Sequence, residues 1–450
     1  MNIVIVGAGS VGLELVEQLI REGHNITVID SEQKNVQDAV NRFDVKGLVG
    51  NGGSLDTLLE AGTKECDLFI AVTEKDEINV LACMVAKSIG VQYTVARVRN
   101  PEYTSMANDK NNIGISLMVN PEYQVSEEIL NILQLPSAIN IHNFSEGNAD
   151  LVETRIKRDS VLNGVALKDL HLYIKQRILI CAVLRNNDVI IPDGFFKLRE
   201  DDIIYFTATE RNIRSLFQDL KISQRTRKVF IAGGSKITYY LAKGLDRIAY
   251  NVKIVAQNKE DCKVLADNLN YIDVINGDPS DQALLNSEGY KNADAFIALT
   301  DNDETNIMLS TYAHASGVRK VITKIDNDAY LRMMSGSNTL DTIISTKLST
   351  AEQIVTYVRT FTGEEDNIVK KIHKISDDKA EALEFTAGES FGALNTPLKD
   401  IKFKKDVLIG GIIREGEFII PSGMDVIQAK DSVIVVTTNN IFDDLNDILG

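Results

Sequence analysis

A glycine-rich loop near the start of the chain carries the clearest chemical pattern. It reads GAGSVG and follows the apolar run of residues 3–6. In such a loop the first glycine permits a tight turn, the second leaves room for a pyrophosphate, and the third lets a helix pack closely on a strand. The N–H groups that begin the following helix favour phosphate. The predicted cofactor-binding residues of this loop are Gly7, Ala8, Gly9, Ser10, Val11 and Gly12.

One acidic residue completes this pattern. Asp30 ends the second apolar run, 18 residues beyond Gly12, where a carboxylate accepts hydrogen bonds from both ribose hydroxyls. Because an acid at this place disfavours a 2′-phosphate, the pattern predicts NAD(H) rather than NADP(H). The alternative interpretation is a tight strand–helix turn that is followed by an unrelated acid.

Polar residues follow three further apolar runs, at the ends of strands where parallel sheets bind ligands. The candidate binding residues there are Gly50, Asn51, Thr73, Glu74 and Arg97. The Arg97 guanidinium could pair with a phosphate through two parallel hydrogen bonds, and the alternative is a surface arginine on an edge strand. For Asp76, Glu77 and Asn79, which begin the next helical stretch, helix capping and ligand contact both remain open.

The chain is an internal duplication. DLFIAVTEKDEINV begins at Asp67 and DAFIALTDNDETNI begins at Asp294, and the strings around them align at nearly the same spacing. Similarity continues towards the end of each half, where VIIPDGFFKLREDDIIYF at Val189 resembles FIIPSGMDVIQAKDSVIV at Phe418. A repeat of roughly 225 residues is too long for a solenoid and indicates a duplicated module.

The second half departs from the glycine pattern. Its loop reads GGSKIT, so Ser235 and Thr238 replace the second and third glycines, and Ala256 stands where the first half has Asp30. We therefore expect weaker dinucleotide binding in this half, or a purely structural role. Its candidate binding residues are Gly233, Gly234, Ser235, Gly277, Asp278, Thr300, Asp301 and Lys324.

Apolar runs alternate with amphipathic stretches in the first part of each half, which predicts an α/β fold with a doubly wound parallel sheet of the Rossmann type. In the first half the strand-like runs are NIVIVG, NITVID, LVG, LFIAV and YTVARV. The second part of each half has three strand-like runs, in the first half ILICAVLR, DVIIPD and DIIYFTA, and predicts a small α+β domain. We place linkers around Pro136 and Asn148 and near residues 363–367. The predicted domains are residues 1–140, 141–225, 226–362 and 363–450.

Composition narrows the function classes. The chain has 450 residues and a net charge of −16, so it is a poor candidate for nucleic-acid binding. Four scattered cysteines and five unpaired histidines give no metal-binding spacing, and we predict neither a metal site nor catalytic residues. No apolar run approaches the length of a membrane span. We expect a cytoplasmic protein.

Taken together, these features resemble the RCK family, the regulators of potassium conductance. The resemblance covers nearly the whole chain and rests on the duplicated order of domains and on the strings GAGSVG, GNGGSLDTLLEAG, AVTEKDEINVLACMVAKSIG and ARVRNPEY. It implies a regulatory subunit that binds NAD(H), and in many members ATP or ADP, and that gates a membrane-embedded K⁺-translocating subunit of an uptake system. It also implies a ring of modules, which this chain would supply as a homotetramer.

Two other functions are open to the sequence. An NAD-dependent oxidoreductase would need an acid or base within reach of the nicotinamide, and residues 150–219 of the first small domain offer only His171. The ligand-sensing part of a calcium-gated channel would need an acidic calcium loop, and the chain has no D-x-D-x-D-G string.

Overall fold

A computed structural model describes most of the chain. The described residues are 1–100, 103, 114–135, 138–144, 149–220, 226–248, 250–269, 271–334, 340–361, 367–376, 379–438 and 442–450. The linker positions predicted at Pro136, Asn148 and residues 363–366 lie outside these ranges.

The first domain is a parallel α/β sheet. Its strands are β1 Asn2–Val6, β2 Asn25–Asp30, β3 Lys46–Val49, β4 Leu68–Ala71, β5 Tyr93–Arg97 and β6 Leu117–Val119. Its helices are α1 Ser10–Arg21, α2 Gln33–Arg42, α3 Leu55–Glu60 and α4 Asp76–Ile89. The sheet order is β3-β2-β1-β4-β5-β6, with all pairs parallel. The doubly wound parallel sheet that the sequence predicts is confirmed, and β6 is a strand that the sequence analysis missed. The order reverses between β1 and β4, and the carboxyl ends of the parallel strands bring the candidate residues to one edge.

The next residues form a connecting helix and a small antiparallel domain. Helix α5, Pro121–Gln134, begins at Asn120, whose side chain accepts a hydrogen bond from the Tyr123 N–H at 3.0 Å. The strands that follow are β7 Asn140–Phe144, β8 Ala149–Arg155, β9 Leu179–Arg185, β10 Asp188–Ile190 and β11 Ile203–Ala208, in the order β10-β9-β11-β8-β7, and helix α6 is Glu210–Asp219. The sequence analysis predicted β9, β10 and β11 and missed β7 and β8.

The second half repeats this architecture. The parallel sheet has β12 Lys228–Ala232, β13 Asn251–Ala256, β14 Ile272–Asn276, β15 Ala295–Ala298, β16 Lys320–Lys324 and β17 Thr342–Ile344. Its helices are α7 Lys236–Arg247, α8 Lys259–Asn268, α9 Gln282–Ser287, α10 Asp303–Ala315, α11 Asp328–Met334 and α12 Thr346–Arg359. The last domain has β18 Val369–Ile375, β19 Ala380–Thr386, β20 Val407–Arg414, β21 Glu417–Ile419 and β22 Ser432–Thr437. The orders are β14-β13-β12-β15-β16-β17 and β18-β19-β22-β20-β21.

The two halves exchange one helix each. Helix α5 of the first half packs its residues Ile129 and Leu133 into the core of the second Rossmann domain, beside Leu241 of α7. Helix α12 of the second half packs in the same way into the core of the first domain, against α1. The halves are therefore interlocked.

The small domains face each other through their sheets. Apolar side chains from both, among them Phe144 and Tyr205 from the first and Ile413 and Val436 from the second, form one buried cluster. No helix in the described part of the chain has the length and apolar character needed to cross a membrane.

Candidate functional site

The glycine loop of the first half lies between β1 and α1. Gly7 has φ +103° and its backbone lies so close to Thr73 that an added Cβ would be 2.9 Å from the Thr73 nitrogen. A Cβ on Gly12 would lie 1.9 Å from the Gly7 oxygen, whereas a Cβ on Gly9 would meet nothing within 4 Å. Gly7 and Gly12 are thus required by close packing, and Gly9 faces open space where a ligand could approach.

The start of α1 is available to an anion. Gly9 is its N-cap, and no described side chain caps the helix. The first N–H groups of Ser10, Val11 and Gly12 therefore point from the helix end without a side-chain acceptor. Ala8 lies in the same loop and donates its N–H to Asp30 Oδ2 at 2.7 Å. This arrangement fits the phosphates of a nucleotide.

Asp30 is fixed beside this loop. Besides the bond from Ala8 to Oδ2, its Oδ1 accepts hydrogen bonds from the Glu32 N–H at 2.9 Å and from the Asn35 amide at 3.3 Å. The carboxylate lies at the end of β2, next to β1 in the sheet, and Oδ2 keeps a further acceptor site. Asp30 therefore combines a structural contact with the position that a ribose-binding acid requires.

Gly50 and Asn51 follow β3. The Gly50 N–H donates to the Asp30 oxygen of the main chain at 2.9 Å, and a Cβ on Gly50 would lie 2.6 Å from the Thr57 side chain. Asn51 is exposed and accepts a hydrogen bond from the Gly53 N–H at 3.0 Å. These residues shape the turn beside Asp30.

Thr73 is part of an internal clamp. Its N–H and hydroxyl both donate to Asn79 Oδ1, at 2.8 and 2.7 Å, and the Asn79 amide donates to the main-chain oxygens of Thr73 and Arg97. Asp76 accepts the N–H groups of Arg99 and Asn100. The polar groups of Asn79 and Asp76 thus join the ends of β4 and β5. This role is neither the helix capping nor the ligand contact that the sequence analysis left open for these residues. Glu74 is exposed beside the clamp, and its main-chain oxygen accepts a hydrogen bond from the Arg99 guanidinium.

Arg97 is a half-buried cation whose Nε is buried. Within the described residues its Nε has no hydrogen-bond acceptor, and Oε2 of Glu122, at the start of α5, has no donor. Burial lowers the pKa of Arg97 and raises that of Glu122, and the opposite charges of the two groups act against both shifts. Because a buried polar atom of a charged group is costly when it lacks a hydrogen-bond partner, an anionic ligand beside the Arg97 Nε would relieve this cost. A nucleotide phosphate would supply the acceptor that the Arg97 Nε lacks, and on this observation the site fits a nucleotide.

The loop of the second half is closed by its own side chains. Gly233 keeps the positive φ, +120°, but the Thr238 hydroxyl donates to the Gly233 oxygen at 2.9 Å. Ser235 is the N-cap of α7. A Cβ on Gly234 would lie 2.8 Å from the Ala256 Cβ and 3.3 Å from that of Asp261. The space next to Asp30 in the first half is thus partly filled here and has Asp261 as its nearest carboxylate.

The strand ends of the second half carry an internal ion pair. Lys324, which corresponds to Arg97, lies 3.0 Å from Asp326 Oδ2. That carboxylate also accepts the hydroxyls of Ser345 and Thr346 and the N–H of Lys347 at the start of α12. Burial raises the pKa of Asp326, but Lys324 and these hydrogen bonds outweigh burial and lower it.

A cavity of about 270 Å³ lies at this edge. Carboxylates dominate its lining, with Asp301, Asp303, Glu304 and Asp326 against the single ammonium of Lys324.

Three further candidate residues of this half make structural contacts within the protein. Gly277 packs on Leu284, Asp278 binds the N–H and hydroxyl of Ser280, and Thr300 is clamped by Asn306.

The sequence analysis missed two residues of the first site. Glu122 lies far from the loop in sequence, and only the packing of α5 brings it near Arg97. Arg99 occupies the place of Asp326, so the first half has two arginines where the second has an ion pair. Aligning ARVRNPEY with TKIDNDAY position by position reveals this difference, because Arg99 aligns with Asp326.

Comparison with known proteins agrees with this fold. Residues 3–121 and 229–346 match the family model of the TrkA-N domain, and residues 151–221 and 383–450 match that of the TrkA-C domain. The Trk system potassium uptake protein TrkA of Halomonas elongata is 33% identical over 97% of this chain and 95% of its own length.

Solved structures share the fold at low identity. The crystal structure of the GsuK RCK domain covers 97% of this chain and 92% of its own, with a TM-score of 0.64 and 16% identity. The GsuK channel bound to NAD covers 97% and 76%, with a TM-score of 0.63 and 14% identity. The predicted fold is confirmed, and the chain belongs to the TrkA family, with two TrkA-N domains that are each followed by a TrkA-C domain.

Proposed function

We propose that this chain is a regulatory subunit that binds NAD(H) in its first half and gates a membrane-embedded K⁺-translocating subunit of the Trk type. The observation that carries the proposal is the buried Nε of Arg97, which lacks an acceptor among the described residues and lies at the same sheet edge as the open glycine loop and Asp30. The relative from Halomonas elongata, a potassium uptake protein by name, and the likeness to a channel solved with NAD support it.

The nucleotide contacts divide among this chain's own groups. The N–H groups at the start of α1 and the Arg97 guanidinium would hold the phosphates, and Asp30 would accept the ribose hydroxyls. The same phosphate-binding groups suit ATP or ADP, which we propose as further ligands. Glu74, Gly50 and Asn51 would line the ribose side of the cleft.

The second half serves mainly as structure in this proposal. Asp326 already neutralises Lys324, and Thr238 closes the loop onto the Gly233 oxygen. A bound nucleotide phosphate would meet the carboxylates of Asp261 and Asp301 instead of an unpaired cation. We therefore propose weaker nucleotide binding there than in the first half.

The remaining parts of the proposal concern assembly and activity. A homotetramer would bring eight modules together, and its docking on the membrane partner would keep the chain at the cytoplasmic face. Gating needs no catalytic group. His171, the candidate base of an oxidoreductase, lies on an exposed turn of the first small domain, and its ring bonds to the Lys168 oxygen. This position does not suit hydride transfer at the glycine loop.

Calorimetric titration of the full chain with NADH, NAD⁺, ATP and ADP tests the proposal. Asp30→Ala should weaken NADH binding at least about tenfold, or about 1.4 kcal/mol, because the ribose loses its acceptor. Gly9→Ala should fold normally, since its Cβ meets nothing within 4 Å, yet obstruct the pyrophosphate. Asp44→Ala, at an exposed site of the same domain, is the matched control. Unchanged affinity in both Asp30→Ala and Gly9→Ala would show that this loop is not the binding site.

A further inference from the structure

The first Rossmann domain and the second small domain share one core. Leu15 and Leu19 of α1, Ile354 of α12, and Leu383 and Phe385 of β19 belong to a single continuous buried cluster. Helix α12 lies between the two domains and contributes to both. Relative movement of these domains would therefore open apolar packing, which interiors resist.

A buried ionic network reinforces this junction. Arg359, the last residue of α12, donates from Nε to Glu22 Oε1 at 2.8 Å and from Nη1 to Glu381 Oε2 at 2.9 Å. Glu22 is the C-cap of α1, Glu381 lies in β19, and all three side chains are at most 7% exposed. Burial raises the pKa of Glu22, but hydrogen bonding to His24 and the charge of Arg359 outweigh burial and lower it. The guanidinium thus links helix ends and a strand from three parts of the molecule.

The corresponding junction in the other half is built differently. The core of the second Rossmann domain with α5 and the core of the first small domain are separate clusters, with no described side chain in common. Gln134 ends α5 where Arg359 ends α12, and the C-cap of α7 is the exposed Ile248. These domains meet through hydrogen bonds to the main chain, from Lys320 Nζ to the Ala138 oxygen at 2.6 Å and from the Thr342 hydroxyl to the Ile139 oxygen at 2.7 Å.

From this asymmetry we infer that the first Rossmann domain, α12 and the second small domain move as one rigid body. The joint that bends when nucleotide binds is then the one between the second Rossmann domain and the first small domain. Helix α1 carries the phosphate loop at one end and Glu22 at the other, about 18 Å apart. A displacement of the loop would therefore be passed through Arg359 to the second small domain. The inference rests on the proposed function for its ligand and adds the route of the signal.

Distances between spin labels on the full chain test this inference. The native cysteines Cys66, Cys83, Cys181 and Cys262 are all buried, so introduced surface cysteines can be labelled selectively. One pair, Asp44→Cys with Lys405→Cys, reports within the proposed rigid body. The second pair, Asp159→Cys with Asp273→Cys, spans the proposed joint. All four positions are exposed.

With NADH as the probe, we expect the 44–405 distance to stay constant and the 159–273 distance to shift. Arg359→Met should broaden the 44–405 distribution even without nucleotide, because the core contacts remain but the ionic link is lost. Arg214→Met, which removes an exposed Arg–Glu pair, is the matched control and should leave it unchanged. Should Arg359→Met fail to fold, Glu22→Gln serves as the conservative variant, with the same broadening expected.

The outcomes separate this inference from the proposed function. NADH binding by calorimetry with a shifted 44–405 distance, or with no shift in either pair, overturns the inference and leaves the proposed function standing. Absence of NADH binding overturns the proposed function. The 44–405 distributions of Arg359→Met and the parent protein, compared without nucleotide, then decide whether the rigid body exists. An Arg359→Met distribution as narrow as that of the parent protein overturns the ionic link.

Discussion

Glu128 is a partly buried residue whose carboxyl protonation should affect stability near neutral pH. Burial and the charge of Glu352 raise its pKa to about 7, against a hydrogen bond from Asn140. The folded protein therefore holds a proton that the unfolded chain has lost between about pH 4.5 and 7, and stability falls as the pH rises through this window. Burial also raises the pKa of Asp150 to about 6 and of Glu153 to about 7, which adds to the same trend.

We predict that Glu128→Gln raises the thermal midpoint at pH 8 and leaves it nearly unchanged at pH 5. The neutral amide avoids the buried charge at pH 8, and the gain should reach at least about 1 kcal/mol, since one pKa unit corresponds to about 1.4 kcal/mol. Thermal unfolding at both pH values measures this, with the exposed Glu60→Gln as control. An equal effect of Glu128→Gln at pH 5 and pH 8 would contradict the ionisation argument.

The sequence predicted the residues whose role depends on local spacing. The glycine loop and Asp30 could be predicted because strand, turn and helix follow one another within about thirty residues. Glu122 could not, because its place beside Arg97 depends on the packing of α5 on the other half. The clamp of Asn79 also escaped prediction, since its partner Arg97 lies on the next strand of the sheet.

At the scale of elements, the ends of β4, α4 and β5 are held together by Asn79. Its side chain is fully buried and is the partner of the Thr73 N–H and of two main-chain oxygens. Asn306 makes the same contacts in the second half, to Thr300 and Lys324. We predict that Asn79→Ala and Asn306→Ala each destabilise their sheet edge by about 1–3 kcal/mol, because buried polar groups lose their partners.

Only Asn79→Ala should also weaken NADH binding, because Asn79 holds Arg97 in place. Thermal unfolding and calorimetry on both variants measure the two effects, and Asn306→Ala is the matched control for general loss of stability. If Asn306→Ala weakened NADH binding as much as Asn79→Ala, the second half would contribute to nucleotide binding after all.

The elements that the sequence analysis missed are short or polar. Strand β6 has three residues, β7 reads NIHNF and β8 reads ADLVETR, so none of the three carries a recognisable apolar alternation. All three are defined by their partners, β5 for β6, β8 for β7 and β11 for β8. The longer parallel strands are nearly all apolar, as expected of strands that are covered on both faces, and the sequence predicted them without this context.

At the scale of the whole molecule, the exchanged helices bind the two halves together. Without α12, residues Leu15, Val16 and Leu19 of α1 would lose the side chains that cover them. Burial of three such side chains contributes on the order of 5–9 kcal/mol, which is comparable to the total stability of a typical domain. Neither half should therefore be stable as a monomer.

We predict that a fragment of residues 1–225 and one of residues 226–450, each purified alone, form pairs or aggregates, and that a mixture forms a complex with one copy of each. In that complex α5 and α12 can again cover α7 and α1, so NADH binding should return to the affinity of the intact chain. Light scattering coupled to gel filtration measures the assembly, and calorimetry measures the binding. A monomeric fragment of residues 1–225 with full thermal stability would contradict the argument, because α1 would then need no cover from the second half.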